Sequence, residues 1–487
     1  MRSIRISTRT LSRVRIACAS LGACLLLGAC ADRSGISPSA RRAEPAAVGL
    51  ATASPEFQWP DERWWQRYGD ARLDELVDRA LADNPSLKAA QSRLDRARSF
   101  VDFADASAGP RLDAAITALR QRYSENGLVP ASVAGTTAST HVGLLDFSWE
   151  LDFFGRNRAA LQAALGSARA AEAEVQAAKV LLASQVVRSW VELARLQEQR
   201  RLARHTLEEN EQLLGLVTQR VRAGVDNRVE LRRAQGAVPR ARAAIEALDG
   251  EIALVRNTLA ALTAQPTQAL AGLEAPLPAA PPSAVPEQIP ADLLGRRADV
   301  AAARWRIEAA IGARDATSAR FYPNVNLVAF AGFSSLGLAS WLESGSAVWG
   351  VGPAIRLPLF DAGRLRAELR GRTADLDEAV HVYNTAIAEA ARDVADQVAS
   401  LRSLARRDRE QRDALAAAED AHAFAVQRYR AGLDTYRDVR SAQLAVIAER
   451  HVSANLAARS VELHAGLARA LGGGYQNLED RTNGSPR

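Results

Sequence analysis

Few residues of this chain could carry covalent or metal chemistry. Its 487 residues include three cysteines, and Cys18, Cys24 and Cys30 all lie within the first thirty positions. Disulfides, cysteine-ligated zinc and a thiol nucleophile are therefore excluded from the rest of the chain. The histidines, which show no HExxH spacing, are His141, His205, His381, His422, His451 and His464. No GxSxG or P-loop pattern stands out either, so the sequence predicts no enzyme, no metal site and no cofactor.

The one covalent modification that the sequence favours is lipidation of Cys30. Residues 1–29 carry five arginines and no acidic residue, and they include an apolar run from Ile16 to Leu27, which is typical of an export signal. The segment Leu-Gly-Ala-Cys at 27–30 resembles the lipobox of bacterial lipoproteins, in which the cysteine is acylated and becomes the new N-terminus. The same letters end at Cys24, after a shorter apolar run. Simple cleavage beside an incidental cysteine is the alternative.

Charge and hydropathy limit the possible partners. The formal charge of +6 falls to +1 without the five arginines of residues 1–29 (6 − 5 = +1), so nothing favours nucleic acid as a partner. No later run of about 18 apolar residues occurs, so a bilayer crossing would require strands. Ala31 rather than aspartate follows Cys30, which by resemblance to the lipoprotein sorting rule favours the outer membrane.

An internal duplication organises the chain after the signal. QRVRAGVDNRVELRRAQ at 219–235 aligns with QRYRAGLDTYRDVRSAQ at 427–443, with nine of seventeen positions identical at a separation of 208. At the same separation, GRNRAAL at 155–161 matches GRLRAEL at 363–369 at five of seven positions. This period is too long for a solenoid, so each half is predicted to be one large unit paired with its twin.

The duplication sets the predicted domain boundaries. The divisions are a signal peptide (1–29), a lipidated tether (30–57), a first repeat (58–264), a Pro-rich linker (265–290), a second repeat (291–475) and a disordered tail (476–487). Seven prolines in the linker argue against helix or central strand there.

Each repeat is predicted to contain two strands and two long helices. The strands are expected at about 111–122, 140–153, 324–333 and 347–359, and the helices at 156–222, 228–264, 363–430 and 435–471. In the clearest strand, apolar residues from Leu145 to Phe153 alternate with Asp146, Ser148, Glu150 and Asp152. This period of two gives one apolar and one polar face. We interpret the acidic side chains as the lining of a water-filled barrel rather than as paired catalytic acids.

The helices carry a second periodicity. From Leu231 to Leu262 apolar residues recur at alternating steps of three and four, and a seam of the same spacing runs from Leu207 to Val221. The two helices should therefore pack as a hairpin around Gly224, with a kink at Pro239. A helix over 156–222 would be about 100 Å long. Four strands cannot close a barrel alone, and open edges are not tolerated in lipid. An oligomer of two, three or four copies that share one barrel is therefore expected.

Several segments resemble a known family. They are SWELDFFGRNRAAL (148–161), LLGRRADV (293–300), PLFDAGRLRAEL (358–369), LARALGGGY (467–475) and the paired glycine turns. They resemble the outer-membrane efflux proteins, which are TolC-like outer-membrane factors, and particularly their lipoprotein branch. The resemblance covers about 57–475 and implies a mainly α fold with a membrane β-barrel. In that fold a homotrimer forms a twelve-stranded barrel and a twelve-helix periplasmic tunnel. The family usually has proline at Ala298, leucine at Arg437 and Arg440, an acidic residue at Ser441 and tryptophan at Tyr475.

The resemblance implies a passive channel in the outer membrane. Its partners would be a periplasmic adaptor protein and, through it, an inner-membrane RND-type transporter. Two alternatives stay open: an exit duct for type I secretion or another exporter, and a structural envelope lipoprotein that conducts nothing. An envelope hydrolase is the rival from the enzyme class.

The functional end of the molecule is predicted to lie at the two glycine turns, farthest from the membrane. The candidate gate and adaptor-docking residues are Gly224, Asp226, Glu230, Gly432, Asp434 and Asp438. In the family this end meets the adaptor and narrows the tunnel, and Asp438 occupies the matching acidic position. Symmetry would turn an inward carboxylate into a ring that selects or binds cations. The alternative is that these charges only solvate a turn.

Overall fold

The computed structural model of this protein describes residues 33–44, 49, 58–225, 227–279 and 291–476. The predicted signal and the lipidation site Cys30 lie outside the described residues. So do Asp226, linker residues 280–290 and tail residues 477–487.

The chain is mainly helical with one small sheet, which confirms the predicted fold class at that level. The helices are α1 (Ala71–Asp83), α2 (Pro85–Ser107), α3 (Arg156–Arg222), α4 (Arg228–Leu262), α5 (Leu293–Arg296), α6 (Ala298–Ala319), α7 (Arg364–Arg430) and α8 (Tyr436–Ala470). The strands are β1 (Arg111–Arg122), β2 (Thr137–Glu150), β3 (Asn324–Leu336) and β4 (Ala347–Arg356). Within the described ranges, no helix combines the length and the apolar character needed to cross a membrane.

The sheet is antiparallel throughout, in the order β1-β2-β3-β4. Strands from the two repeats therefore pair directly, with Phe147 of β2 opposite Ala329 of β3. β1 and β4 are the outer strands, so each has one edge without a partner strand in this sheet.

The strand ends differ from the sequence prediction. β2 ends at Glu150 rather than at about 153, because the chain turns toward α3 at Gly155, whose φ is 77°. β4 ends at Arg356 rather than at about 359, because its partner β3 begins opposite it at Asn324. β3 extends to Leu336, beyond the predicted 333, because β2 continues beside it. The ends of β3 and β4 therefore follow from pairing, because a strand needs a neighbour with which to form its hydrogen bonds.

The chain divides into two compact units. The first comprises Met1–Arg42, Asp95–Ala170 and Arg304–Val382, and it contains the whole sheet. In this unit α3 and α6 approach so closely that a Cβ on Gly312 would lie 2.6 Å from the backbone nitrogen of Ala163. A small apolar cluster of Phe321, Leu365 and Leu369 packs there against Ile36 of the N-terminal segment.

The second unit comprises Ala43–Leu94, Ala171–Ala303 and Tyr383–Arg487. Its larger core joins α1, α2, α3, α4 and α8 around the fully buried Trp190. A second core places Ile387 and Val394 of α7 against Leu463 of α8.

The heptad seam of α4 is at least partly buried along its length, as the sequence predicts. All ten predicted positions from Leu231 to Leu262 are buried or half-buried, and Ile252 and Leu259 enter the larger core with residues of α3. α4 continues through Pro239, so the proline does not end the helix.

Candidate functional site

The first glycine turn joins α3 to α4 and is built from local backbone bonds. Gly224 has a φ of 78°, a left-handed conformation that glycine adopts without a Cβ penalty. The backbone N–H of Val225 donates to the carbonyl of Arg220 at 2.9 Å, which closes the end of α3. The side chain of Asn227 caps α4 by accepting from the N–H groups of Val229 and Glu230 at 2.9 and 3.1 Å.

The second turn joins α7 to α8 with a similar backbone and a different cap. Gly432 has a φ of 73°, and the N–H of Leu433 donates to the carbonyl of Arg428 at 2.9 Å. Thr435 and Asp438 form a capping box at the start of α8. The Thr435 N–H donates to the Asp438 carboxylate at 3.1 Å, and the Thr435 hydroxyl donates to it at 2.6 Å.

Each described acidic candidate is engaged within its own turn. Glu230 pairs with Arg233 at 3.0 Å. Asp434 accepts from Nε and Nη2 of Arg428 at 2.7 and 3.1 Å, and this bond raises the pKa of Arg428. The hydroxyl and backbone N–H of Thr435 lower the pKa of Asp438. Each of these three carboxylates therefore has a structural partner close to it in sequence.

A buried ion pair close to the second turn is the feature that sequence reasoning missed. Arg440 of α8 is 2% exposed and contacts the carboxylate of Glu209 of α3, which is 8% exposed. Arg440 also donates to Gln443 at 3.0 Å, while its Nε and Nη2 find no hydrogen-bond partner in the described structure. Burial lowers the pKa of Arg440. The available signal was an arginine at a position where the resemblance to the family led us to expect leucine.

The turns also expose apolar side chains. Val225, Val229 and Leu433 are 62%, 57% and 67% exposed. Tyr429 packs edge-on against Tyr436 across the second turn, with ring centroids 5.6 Å apart. Apolar tips beside charged side chains are typical of surfaces that bind another protein.

The sheet has one apolar face and one polar face. Cross-strand neighbours Leu112, Phe147, Ala329 and Val351 share the apolar face, where Val351 is 67% exposed. The opposite face carries the following polar residues: Asp113 opposite Asp146, Glu150 opposite Asn326, and Asn324 opposite Arg356. The residues described contain no cluster of three or more His, Cys, Asp or Glu side chains that could hold a metal ion.

Comparison with known proteins gives a family match over both repeats. The model of the family "Outer membrane efflux protein" matches residues 76–265 and 289–473. The chain is 31% identical to the multidrug resistance outer membrane protein MdtQ of Escherichia coli O6:H1, over 93% of this chain and 96% of that protein. It is also 31% identical to the pyoverdine export outer membrane protein OpmQ of Pseudomonas aeruginosa, over 94% of this chain and 96% of that protein.

Solved structures agree with this match. The outer membrane protein VceC of Vibrio cholerae superposes with a TM-score of 0.80 and 35% identity, over 86% of this chain and all (100%) of that chain. The outer-membrane channel OprN gives a TM-score of 0.79 and 26% identity, over 92% of this chain and 99% of that chain.

Proposed function

Since this chain belongs to the outer membrane efflux protein family, we propose that it is the outer-membrane channel subunit of a tripartite efflux pump. It would conduct small molecules passively to the exterior and supply neither energy nor chemistry. The observation that carries this proposal is the family match across both repeats, at 76–265 and 289–473. The exposed apolar face of the sheet supports it, because such a face suits lipid better than water.

The proposed assembly is a homotrimer. Each copy brings one sheet whose outer strands β1 and β4 have unpaired edges. Pairing β4 of one copy with β1 of the next would satisfy these edges, and three copies would give twelve strands and a twelve-helix tunnel. The polar face with Asp146 and Glu150 would line the water-filled interior.

The proposed partners are a periplasmic adaptor protein and an inner-membrane RND-type transporter. The turns around Gly224 and Gly432 would form both the gate and the adaptor-docking surface, with Asp226, Glu230, Asp434 and Asp438 supplying charge. The exposed Val225, Val229 and Leu433 would be covered by the adaptor. A deletion strain should lose resistance to the exported compounds, and its drug-susceptibility profile would identify their class.

Conductance is the decisive test of the channel. Purified protein in planar bilayers should conduct ions. A variant that tests the gate must keep the helix cap intact, because Asp438 also caps α8. Asp438→Asn with Glu230→Gln removes charge while leaving an oxygen that can accept the cap bonds. We expect this variant to form trimers and to change conductance or block by cations. If the parent protein conducts no ions at any voltage or pH, the channel proposal is rejected. If the variant keeps the parent's conductance and its cross-linking to the adaptor, only the gate assignment is rejected.

The proposed anchor is a lipidated Cys30. Cys30→Ser should abolish labelling by a fatty-acid probe and leave trimers intact, because the strands themselves would hold the membrane. Cys24→Ser is the matched control and should keep the label. Label retained in Cys30→Ser but lost in Cys24→Ser would move the lipidation site to Cys24.

A further inference from the structure

One row of residues crosses the polar face of the sheet. Asp113 of β1 lies opposite Asp146 of β2. Asp146 lies in turn opposite Phe330 of β3, and Phe330 lies opposite Gly350 of β4. Directly opposed residues share a face of an antiparallel sheet, with Cβ atoms about 4.5–5.5 Å apart. These four residues, here termed the central row, therefore form one band across all four strands.

The two carboxylates of the central row have no cationic partner. Asp113 and Asp146 are exposed, and neither forms an ion pair with any residue that the structure describes. Like charges directly opposite each other on neighbouring strands destabilise a sheet. The row therefore carries an electrostatic cost that a cation at the same place would offset.

The other charges of this face lie on the side of the row that leads to the helices. The charged side chains that the strands carry on the polar face are Arg111, Asp113, Asp146, Glu150 and Arg356. Glu150 pairs with Arg156 of α3. Arg111 and Arg356 lie at the ends of β1 and β4 that adjoin the helices. Beyond the row, toward the loops at 123–136 and 337–346, the strands carry no charge on this face. The acidic pair is therefore its last charged level before those loops.

Phe330 adds an aromatic ring to the same band. Within the described strands, it is the only aromatic residue on the polar face. Phe330 is 42% exposed, and its ring lies over Gly350, where an added Cβ would come within 2.7 Å of the ring carbon Cε1. Glycine thus leaves room for the ring against the sheet. An exposed ring next to carboxylates suits organic cations, because both the ring face and the negative charge attract a cation.

We propose that the central row determines selectivity inside the barrel and favours organic cations with aromatic groups over anions. This inference rests on the proposed function, because it requires the polar face to line the interior of the trimer. Pairing copies at the edges of β1 and β4 engages backbone groups, so the side chains of the row stay on the interior face. Three copies repeat the row three times around the barrel, and rings of one charge sign select ions.

A cysteine introduced beside the row measures the local potential. All three natural cysteines lie within the first thirty positions, so an introduced thiol reports on one place. Ala115 is the next residue after Asp113 on the same face. Trimers of Ala115→Cys in phospholipid vesicles are treated with trimethylammonioethyl or sulfonatoethyl methanethiosulfonate, which carry opposite charges. The cationic reagent should react faster. Adding Asp113→Asn and Asp146→Asn, which keep the side-chain shape, should lower the ratio of the two rates about tenfold.

A matched double variant controls for the loss of charge. Glu410→Gln with Asp413→Asn removes two exposed acidic groups from α7, outside the sheet. In the Ala115→Cys background this change should leave the ratio of rates as it was. An unchanged ratio after the two aspartate substitutions, or an equal fall in the control, would overturn the row as the source of selectivity.

Phe330→Leu tests the preference for aromatic cations. In Ala115→Cys trimers, benzyltrimethylammonium should slow the cationic reagent more than tetramethylammonium does at the same concentration, because only the former also contacts the ring of Phe330. Phe330→Leu should remove this difference and keep the ratio set by the carboxylates. Equal protection by the two ammonium ions before that substitution would overturn the aromatic preference.

The opposite face separates this proposal from the proposed function. Ala114 shares the apolar face with Leu145, so Ala114→Cys should lie in lipid and resist both charged reagents. Reaction at Ala115→Cys with equal rates for the two reagents rejects the central row alone. Reaction at Ala114→Cys and none at Ala115→Cys would show that the polar face does not line the interior, and would reject the proposed barrel together with the row.

Discussion

Arg440 and Glu209 form a buried ion pair between α8 and α3. The duplication places Arg232 at the position equivalent to Arg440, 208 residues earlier, and both arginines donate to a glutamine three residues ahead. Yet Arg232 is exposed. The residue equivalent to Glu209 in the second repeat is Ala417, so Arg232 has no matching carboxylate at that position. The ion pair therefore breaks the equivalence of the two repeats.

Removing one partner of this pair should be costly. Glu209→Gln leaves the charge of Arg440 buried without compensation, which typically destabilises by about 3–5 kcal/mol. Replacing both residues by leucine should be near neutral, because two apolar side chains need no desolvated charge. Hydrogen exchange of α8 amides after Tyr436 measures the local effect. Arg232→Leu is the control and should change protection by no more than about 0.5 kcal/mol. Parent-like exchange in Glu209→Gln would show that the pair does not hold α8 in place.

The capping box of α8 should respond to acid. The pKa of Asp438 is lowered from its ordinary value of 3.8 by bonds from Thr435. Because the pKa of Asp438 is lower in the folded protein, the ionised cap stabilises the folded turn fully at a pH above the ordinary pKa. This stabilisation is lost as the pH falls through the pKa of the folded state. Exchange protection of the first turn of α8, corrected for intrinsic rates, should therefore decline below about pH 4.

The first turn provides the contrast within the same molecule. Its cap is the amide of Asn227, which does not titrate. The start of α4 should keep its protection over the pH range in which the start of α8 loses it. Equal loss at both turns would point to general acid unfolding rather than to the Asp438 cap.

α3 and α6 lie so close together that there is no room for a Cβ at Gly312. A methyl group at Gly312 would lie 2.6 Å from the Ala163 nitrogen and 2.8 Å from the Ala159 carbonyl oxygen, and neither backbone atom can rotate away. Gly312→Ala should cost about 1–3 kcal/mol, seen as a lower midpoint of thermal unfolding. Gly371→Ala in α7 is the control, because nothing lies within 4 Å of its added Cβ. That change should stabilise by about 0.5–1 kcal/mol. A lower midpoint in both variants would exclude the helix contact as the cause.

The N-terminal segment should depend on Asp377 for its position. The carboxylate accepts the backbone N–H groups of Ser39 and Ala40, each at 3.0 Å, and the Ser39 hydroxyl at 2.8 Å. These bonds lower the pKa of Asp377, the Ala40 N–H contributing most. Asp377→Asn replaces one acceptor oxygen by a donor, so tryptic cleavage after Arg41 and Arg42 should become faster.

A neighbouring acid supplies the control for the N-terminal segment. Asp375 pairs with Arg372 at 3.2 Å on the same helix. Asp375→Asn should therefore leave the tryptic cleavage rate unchanged. Similar rates in the parent and in Asp377→Asn would show that other contacts, such as Arg42 with Glu308, are sufficient to hold the segment.

The sequence by itself determined the element types, the duplication and the family. Alternation over 145–150 and the three-and-four spacing from Leu231 to Leu262 are consequences of strand and helix geometry, which each segment carries locally. The glycine turns were predictable for the same reason, since Gly224 and Gly432 adopt a backbone conformation that other residues rarely take.

Tertiary structure decided the features that depend on a partner from elsewhere in the chain. β4 ends where its partner β3 begins, although the alternation in sequence continues. Arg232 and Arg440 share local sequence, but only Arg440 is buried, because a carboxylate from α3 meets it there. A cleft lined by Glu150, Tyr322 and Arg356 likewise exists only where three chain passages come together. Burial and pairing are properties of two surfaces, so one segment's sequence cannot specify them alone.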